Sequence, residues 1–210
     1  MDTEKKVAQA LLEIDAVGFP PEPITFKSGI KSPVYTDNRR FPFNPKEWRT
    51  VIEGFAAKMQ EDGLTPNVIA GVEAAGIPHS AALGFHLGKP SVFVRKKLNE
   101  HGTFKLVEGG DVKGTNVLLI EDLVSTGISS LNAVEALRAE GAIVTDVLVI
   151  ITYGFAEAEE AFAAANVNLH ALTSFPVVVA EGMASGQIDA AKAEDVNAWL
   201  KDPHAWGTAA

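Results

Sequence analysis

Between Val117 and Ser130 the sequence reads VLLIEDLVSTGISS, and its residue types change abruptly. Apolar residues run straight into two adjacent acids, Glu121 and Asp122, then into the small residues Ser125, Thr126 and Gly127 and the start of a helical pattern. Such a turn can aim the main-chain N–H groups of Ser125 to Ser129 at one phosphate, where the helix dipole favours an anion. The hydroxyls of Ser125, Thr126 and Ser129 add donors. Two carboxylates facing that phosphate would repel it, so their better partners are sugar hydroxyls or magnesium, which prefers oxygen ligands. Taken singly, acids or small residues here would read as a capped strand-to-helix turn. Together they offer a phosphate cradle beside a hydroxyl- or metal-binding pair.

The elements that must position these residues follow from periodicity. The opening segment predicts an amphipathic helix with Val7, Leu11, Leu12 and Ile14 on one stripe, ended by the prolines of GFPPEP. ITFKSGIKSPVYTDNRR reads as two short strands around Ser28-Gly29. Asn44, Pro45 and Glu47 form a capping-box start for the next helix. Strands and helices then alternate: NVIAGV, GIPHSAALGFHLG closed by Gly88, PSVFVRK, a polar segment from Lys97 to Gly114, and NVLLIED. After these come ISSLNAVEALRAEG closed by Gly141, IVTDVLVIITY, AEAEEAFAAAN and LHALTSF, with helical character returning in AAKAEDVNAWLKD. This order implies an α/β fold with a mostly parallel central sheet flanked by helices. In such sheets ligands sit beyond the carboxyl ends of the strands, where Glu121 and Asp122 lie.

At 210 residues and 47% hydrophobic content, the chain is expected to form one domain. A net charge of -9 argues against a nucleic-acid partner. With no cysteine, disulfides and thiolate chemistry are excluded, and five scattered histidines do not suggest structural zinc. No apolar run reaches the ~20 residues that span a bilayer. MDTEKKVAQALLEIDAV lacks the apolar core of a signal peptide, so the expected location is cytoplasmic, with no membrane partner. GxxxxGK[ST], GxGxxG at the strand-to-helix turn and GxSxG are all absent.

VLLIEDLVSTGISS resembles the phosphoribosyl-pyrophosphate (PRPP) signature of type I phosphoribosyltransferases. FKSGIKSPVYTDNRR and VRKKLNEHG are similar to the N-terminal motif and the start of the mobile catalytic loop of the orotate phosphoribosyltransferases within that class. The resemblance covers about Leu11 to Phe175. It implies transfer of a phosphoribosyl group from PRPP to orotate, giving orotidine 5'-monophosphate and pyrophosphate in pyrimidine synthesis. It implies magnesium as cofactor, held mainly through PRPP, and a homodimer with shared active sites. Residues 1–40 and 168–201 would form a hood over the site of a single domain, 1–210.

Residue by residue, the resemblance places the ribose hydroxyls on Glu121 and Asp122 and the 5-phosphate on the run Leu123, Val124, Ser125, Thr126, Gly127, Ile128 and Ser129. Arg95, Lys96 and His101 would meet pyrophosphate, while Ser125 and Lys27 lie near the junction of ribose and orotate and Tyr35 supplies an aromatic. Catalytic weight falls on Asp122, Glu121, Lys96 and His101, which help a highly charged leaving group depart from an oxocarbenium-like centre. Closure of the loop from Lys97 to Gly110 would exclude water.

The sequence also departs from the family. Asn99 stands where a second loop lysine is common, unless Lys97 or Lys105 substitutes, and Ala74-Ala75 replaces a Tyr-Lys pair. Orotate's carboxylate needs a cation, and charge points to Arg39, with Arg40 second and a surface ion pair with Asp37 as the competing account for Arg39. A phosphoribosyltransferase with another acceptor base, or a PRPP-binding regulator, is the alternative reading.

Overall fold

The computed structural model describes residues 2–26, 28–97 and 105–207. The first helix, α1 (Thr3–Glu13), buries Val7, Leu11 and Leu12 as its stripe requires. Four short strands follow: β1 (Val17–Gly18), β2 (Ile24–Thr25), β3 (Lys31–Ser32) and β4 (Tyr35–Thr36). The expected pair around Ser28-Gly29 is β2 with β3, and Gly29 takes a φ of 90° that favours glycine. A second antiparallel ribbon, β1 with β4, was not foreseen, because two-residue strands carry no periodicity.

A 3-10 turn over Asn38–Phe43 leads into α2 (Pro45–Glu61). Pro45 sits in the first turn as expected, but Asn44 makes no side-chain cap. Its Nδ2 instead donates to the Arg40 carbonyl at 2.8 Å, one of the oxygens left over by the preceding turn.

The rest is the alternation read from the sequence: β5 (Val68–Val72), α3 (Gly76–Leu87), β6 (Ser91–Val94), β7 (Val107–Glu108), β8 (Asn116–Val124), α4 (Ile128–Ala139), β9 (Ile143–Thr152), α5 (Ala156–Ala164), β10 (Asn168–Ser174), α6 (Phe175–Ala184) and α7 (Ala190–Lys201). The six strands from β5 to β10 form one sheet in the order β10-β9-β8-β5-β6-β7. All neighbours are parallel except β7, which returns antiparallel beside β6 inside the segment read as polar and irregular. The chain moves outward from β5 to β6 and then comes back to β8 on the other side of β5. That reversal makes the crevice beyond β5 and β8 a topological switch point.

Alternation along β8 splits the core in two. Leu118 and Ile120 join Ile69, Leu148 and Ile150 on the face covered by α1, α2 and α6. Val117 and Leu119 join Ala70, Val147 and Val149 on the face covered by α4 and α5. Close approach fixes the switch point: a Cβ on Gly76 would lie 2.6 Å from the Ile120 carbonyl oxygen.

The hood range needs one correction. Residues 168–174 are the edge strand β10 of the central sheet, not part of a roof. The helix α6 was also missed, because FPVVVAEG reads as a β-rich run; Pro176 starts it, and burial of Val178 and Val179 overrides their propensity. What ties the N-terminal ribbons down is α7. Trp199 is fully buried, its Nε1 donates to the Lys31 carbonyl at 2.8 Å, and its ring meets Tyr153 and Phe155 edge-on at 4.9 and 5.2 Å.

Removing that ring leaves a cavity and an unpaired carbonyl. Trp199→Ala should destabilise the protein by about 3–5 kcal/mol, measured by chemical denaturation.

Candidate active site

Four strand ends converge on the switch point. After β5, Glu73 donates its N–H to the Val94 carbonyl and its carboxylate accepts the Lys96 N–H at 2.8 Å. This acid fastens the end of β6 to the end of β5, and the sequence reading gave it no role. Lys96 is exposed, and its charge reaches the acids on β8. Arg95 is half-buried and pairs with Glu108 on β7, Nη1 to Oε1 at 3.0 Å. An anion entering here would therefore compete with Glu108 for Arg95.

The acids lie within β8, which runs on to Val124, two residues past the expected end. Glu121 is 4% exposed, and its Oε1 accepts the Asp122 N–H at 3.2 Å. The Asn38 side chain donates from Nδ2 to the Asp122 carbonyl at 2.9 Å. Burial pushes both carboxyls above their ordinary values. The neighbouring Asp122 charge raises Glu121 further, whereas hydrogen bonds from Glu121 and Asn38 offset part of the shift on Asp122. Two adjacent carboxylates so placed do not both ionise readily, and burial raises Glu121 the more strongly of the two. Such a pair can donate to and accept from vicinal hydroxyls.

The cradle follows directly. The carbonyl of Val124 is taken by the Tyr153 N–H, which closes the strand. Ser125 and Thr126 are half-buried, and Gly127 takes a φ of 80°. A Cβ there would come within 2.8 Å of the Phe162 ring, so both conformation and space call for glycine. No side chain caps α4, which leaves the N–H groups of its first turn for a ligand. Leu123 and Val124 are strand residues here, with Val124 buried, and Ile128 and Ser129 are exposed at the helix start.

On the hood side, Tyr35 is 36% exposed, and Arg39 is paired with Asp37 at 2.5 Å. That pair raises the Arg39 pKa, with Asp122 and Tyr35 close enough to add to it. Arg39 thus keeps its surface ion pair with Asp37 while still feeling the charge of Asp122. Arg40 turns away and donates to the Asp15 carbonyl at 2.6 Å. Lys105 pairs with Glu140 at 2.9 Å, which commits one of the two lysines considered as substitutes for Asn99. Lys27, Asn99 and His101 lie outside the described residues. Asn38 was missed because TDNRR drew attention to its arginines; an asparagine beside two charged residues gives no periodic or motif signal.

Residues 44–168 match the phosphoribosyl transferase domain model. An orotate phosphoribosyltransferase of Coxiella burnetii is 38% identical over 207 residues, covering 98% of this chain and 99% of that protein. Among solved structures, Leishmania donovani UMP synthase is similar with a TM-score of 0.83 and 27% identity over 94% of this chain, which spans 42% of the UMP synthase chain. The orotate phosphoribosyltransferase from Aeropyrum pernix gives a TM-score of 0.74 at 28% identity, covering 87% of this chain and 99% of that one.

Raised carboxyl pKa values make the folded state bind protons that the unfolded chain has released, so the pair loses stability as pH rises above the ordinary Glu value of 4.5. Glu121→Gln should relieve that loss. Its denaturation free energy should exceed the unsubstituted protein's by about 1–2 kcal/mol near pH 8, with the gain vanishing near pH 4.

Proposed function

The chain belongs to the orotate phosphoribosyltransferase family of type I phosphoribosyltransferases, and from that premise we propose that it transfers the phosphoribosyl group of PRPP to orotate, yielding orotidine 5'-monophosphate and pyrophosphate. The observation that carries this reading is one continuous strand-turn-helix. It sets two adjacent acids directly before an uncapped helix start at the switch point of the sheet. A ribose 5-phosphate carries vicinal hydroxyls and a phosphate, and this unit offers a complement to both.

In this reading Ser125 to Ser129 bind the 5-phosphate, and Glu121 and Asp122 hold the ribose hydroxyls. Lys96, with Arg95 after exchange from Glu108, meets the departing pyrophosphate; His101 would join them. Lys27, Tyr35 and Arg39 face the base, with Arg39 supplying the cation for orotate's carboxylate. Magnesium would neutralise pyrophosphate oxygens. The acid pair suits it as a partial ligand set, because magnesium is usually bound by one or two carboxylates together with substrate oxygens. Asn99 leaves the leaving group one cation short of the family pattern unless Lys97 takes its place.

The proposal includes a homodimer in the cytoplasm. Phe85 and Phe43, 91% and 89% exposed, are the most exposed large hydrophobics among the described residues, and a subunit contact would cover them. No helix among the described residues is long and apolar enough to cross a membrane.

Purified protein with PRPP, orotate and magnesium should consume orotate and release pyrophosphate, and chelation should stop both. Purine consumption instead would favour another acceptor, and PRPP binding without turnover would favour a regulator. Asp122→Asn should lower kcat/KM roughly hundredfold or more while leaving the melting temperature near that of the unsubstituted protein. In sedimentation, Phe85→Glu should shift a dimer toward monomer and reduce activity with it.

A further inference from the structure

Behind the acid pair, side chains from three elements form a chain to which the reading above gives no task. Asn38, at the head of the 3-10 turn, is fully buried and reaches β8 across 84 residues of sequence to donate to the Asp122 carbonyl at 2.9 Å. That bond sets its amide: Nδ2 faces the strand, so Oδ1 faces away. Oδ1 is itself buried without a hydrogen-bond partner among the described residues.

His79, on α3, is also fully buried. The Trp48 indole N–H, which can only donate, reaches His79 Nδ1 at 3.0 Å. Nδ1 is therefore the acceptor, and the ring carries its proton on Nε2. Burial keeps the ring neutral, with its pKa pushed down to about 4, and a hydrogen-bonding interaction with the Asn38 main chain opposes the shift. Nε2 has no hydrogen-bond partner of acceptable geometry among the described residues. His79 Nε2 and Asn38 Oδ1 are thus two buried polar atoms without an aligned hydrogen bond, and His79 meets Asn38 at its main chain. Buried polar atoms are rarely left unpaired, and those of neighbouring residues can share a bridging water.

We infer that Asn38 is a positioning residue for Asp122, and that His79, locked by Trp48, holds Asn38 in place through Nε2–H and the Asn38 main chain. This rests on the PRPP reading of the site. A residue that merely fills the core would affect stability alone. A positioning residue affects how the ribose is held, and it acts in series with whatever holds it.

The test uses the full chain and the variants Asn38→Ala, His79→Phe and His79→Gln, with steady-state kinetics, calorimetric titration of PRPP and thermal melting. Asn38→Ala and His79→Phe should each raise the KM for PRPP about tenfold and weaken its binding in parallel, while the KM for orotate changes by less than about twofold. The double variant should be no worse than Asn38→Ala alone, as expected for groups acting in series. His79→Gln, whose amide can place a donor near the position of Nε2, should recover part of the loss. If Asn38→Ala does not fold, the contrast between His79→Phe and His79→Gln decides. Folded variants that bind and use PRPP like the unsubstituted protein would overturn this inference alone, as would strictly additive losses in the double variant. An unsubstituted protein that binds no PRPP overturns both this inference and the reading beneath it.

Discussion

Two carboxyl groups sit side by side near the end of a central strand, and most of their surroundings can be understood as what it takes to keep them there. A buried carboxylate is unfavourable, and a second one beside it more so. The strand that carries them is therefore held firmly. β8 is paired on both edges, by β5 and β9, and its apolar residues feed separate cores on the two faces of the sheet. Lys96, fixed through its main chain by Glu73, returns some positive charge to the pair. The raised pKa values record an unfavourable placement that the rest of the fold supports, and such placements concentrate where a ligand is to be gripped.

The same strand shows why the ligand-binding parts need no separate scaffold. One turn after the acids, the chain passes through Gly127 against Phe162 and starts a helix with its first N–H groups unspent. The two halves of the site are thus a few residues apart on one rigid unit, and their spacing is set by covalent geometry. The cations arrive differently, from β6 and from the hood, so they are the adjustable part. Arg95 and Arg39 are each held by a carboxylate partner, Glu108 and Asp37. Both ion pairs are at least partly open to solvent and worth little net stability, so an anionic ligand can displace them at small cost.

Much of the central architecture was legible in the sequence, because parallel strands buried on both faces read as apolar runs and glycines close the helices between them. Gly88 and Gly141 marked two helix ends correctly, and VLLIEDLVSTGISS marked a strand, a turn and a helix start. What escaped depends on contacts between distant segments. The helix α6 hid behind three consecutive valines, and β7 behind a polar stretch too short to show alternation. Arg95 and Glu108 become partners only when β6 and β7 pair. Asn38 meets Asp122 only once the hood has closed onto the sheet. Asn44 was read by local rule as a cap, and a carbonyl left over by the preceding turn claimed its side chain instead.

The bond from Trp199 to Lys31 joins positions 168 residues apart. On the ribosome, the hood ribbon emerges long before the helix that fastens it. Domains form as their parts become available, so the sheet and its acid-bearing strand can assemble while α7 is still inside the exit tunnel. During that interval the nascent chain has its cradle but no secured roof. Synthesis of α7 then acts as a timer: the ribbons are fastened only after the sheet beneath them has had time to form, and a translation product that stops short of α7 would leave Tyr153 and Phe155 without the Trp199 ring that covers them.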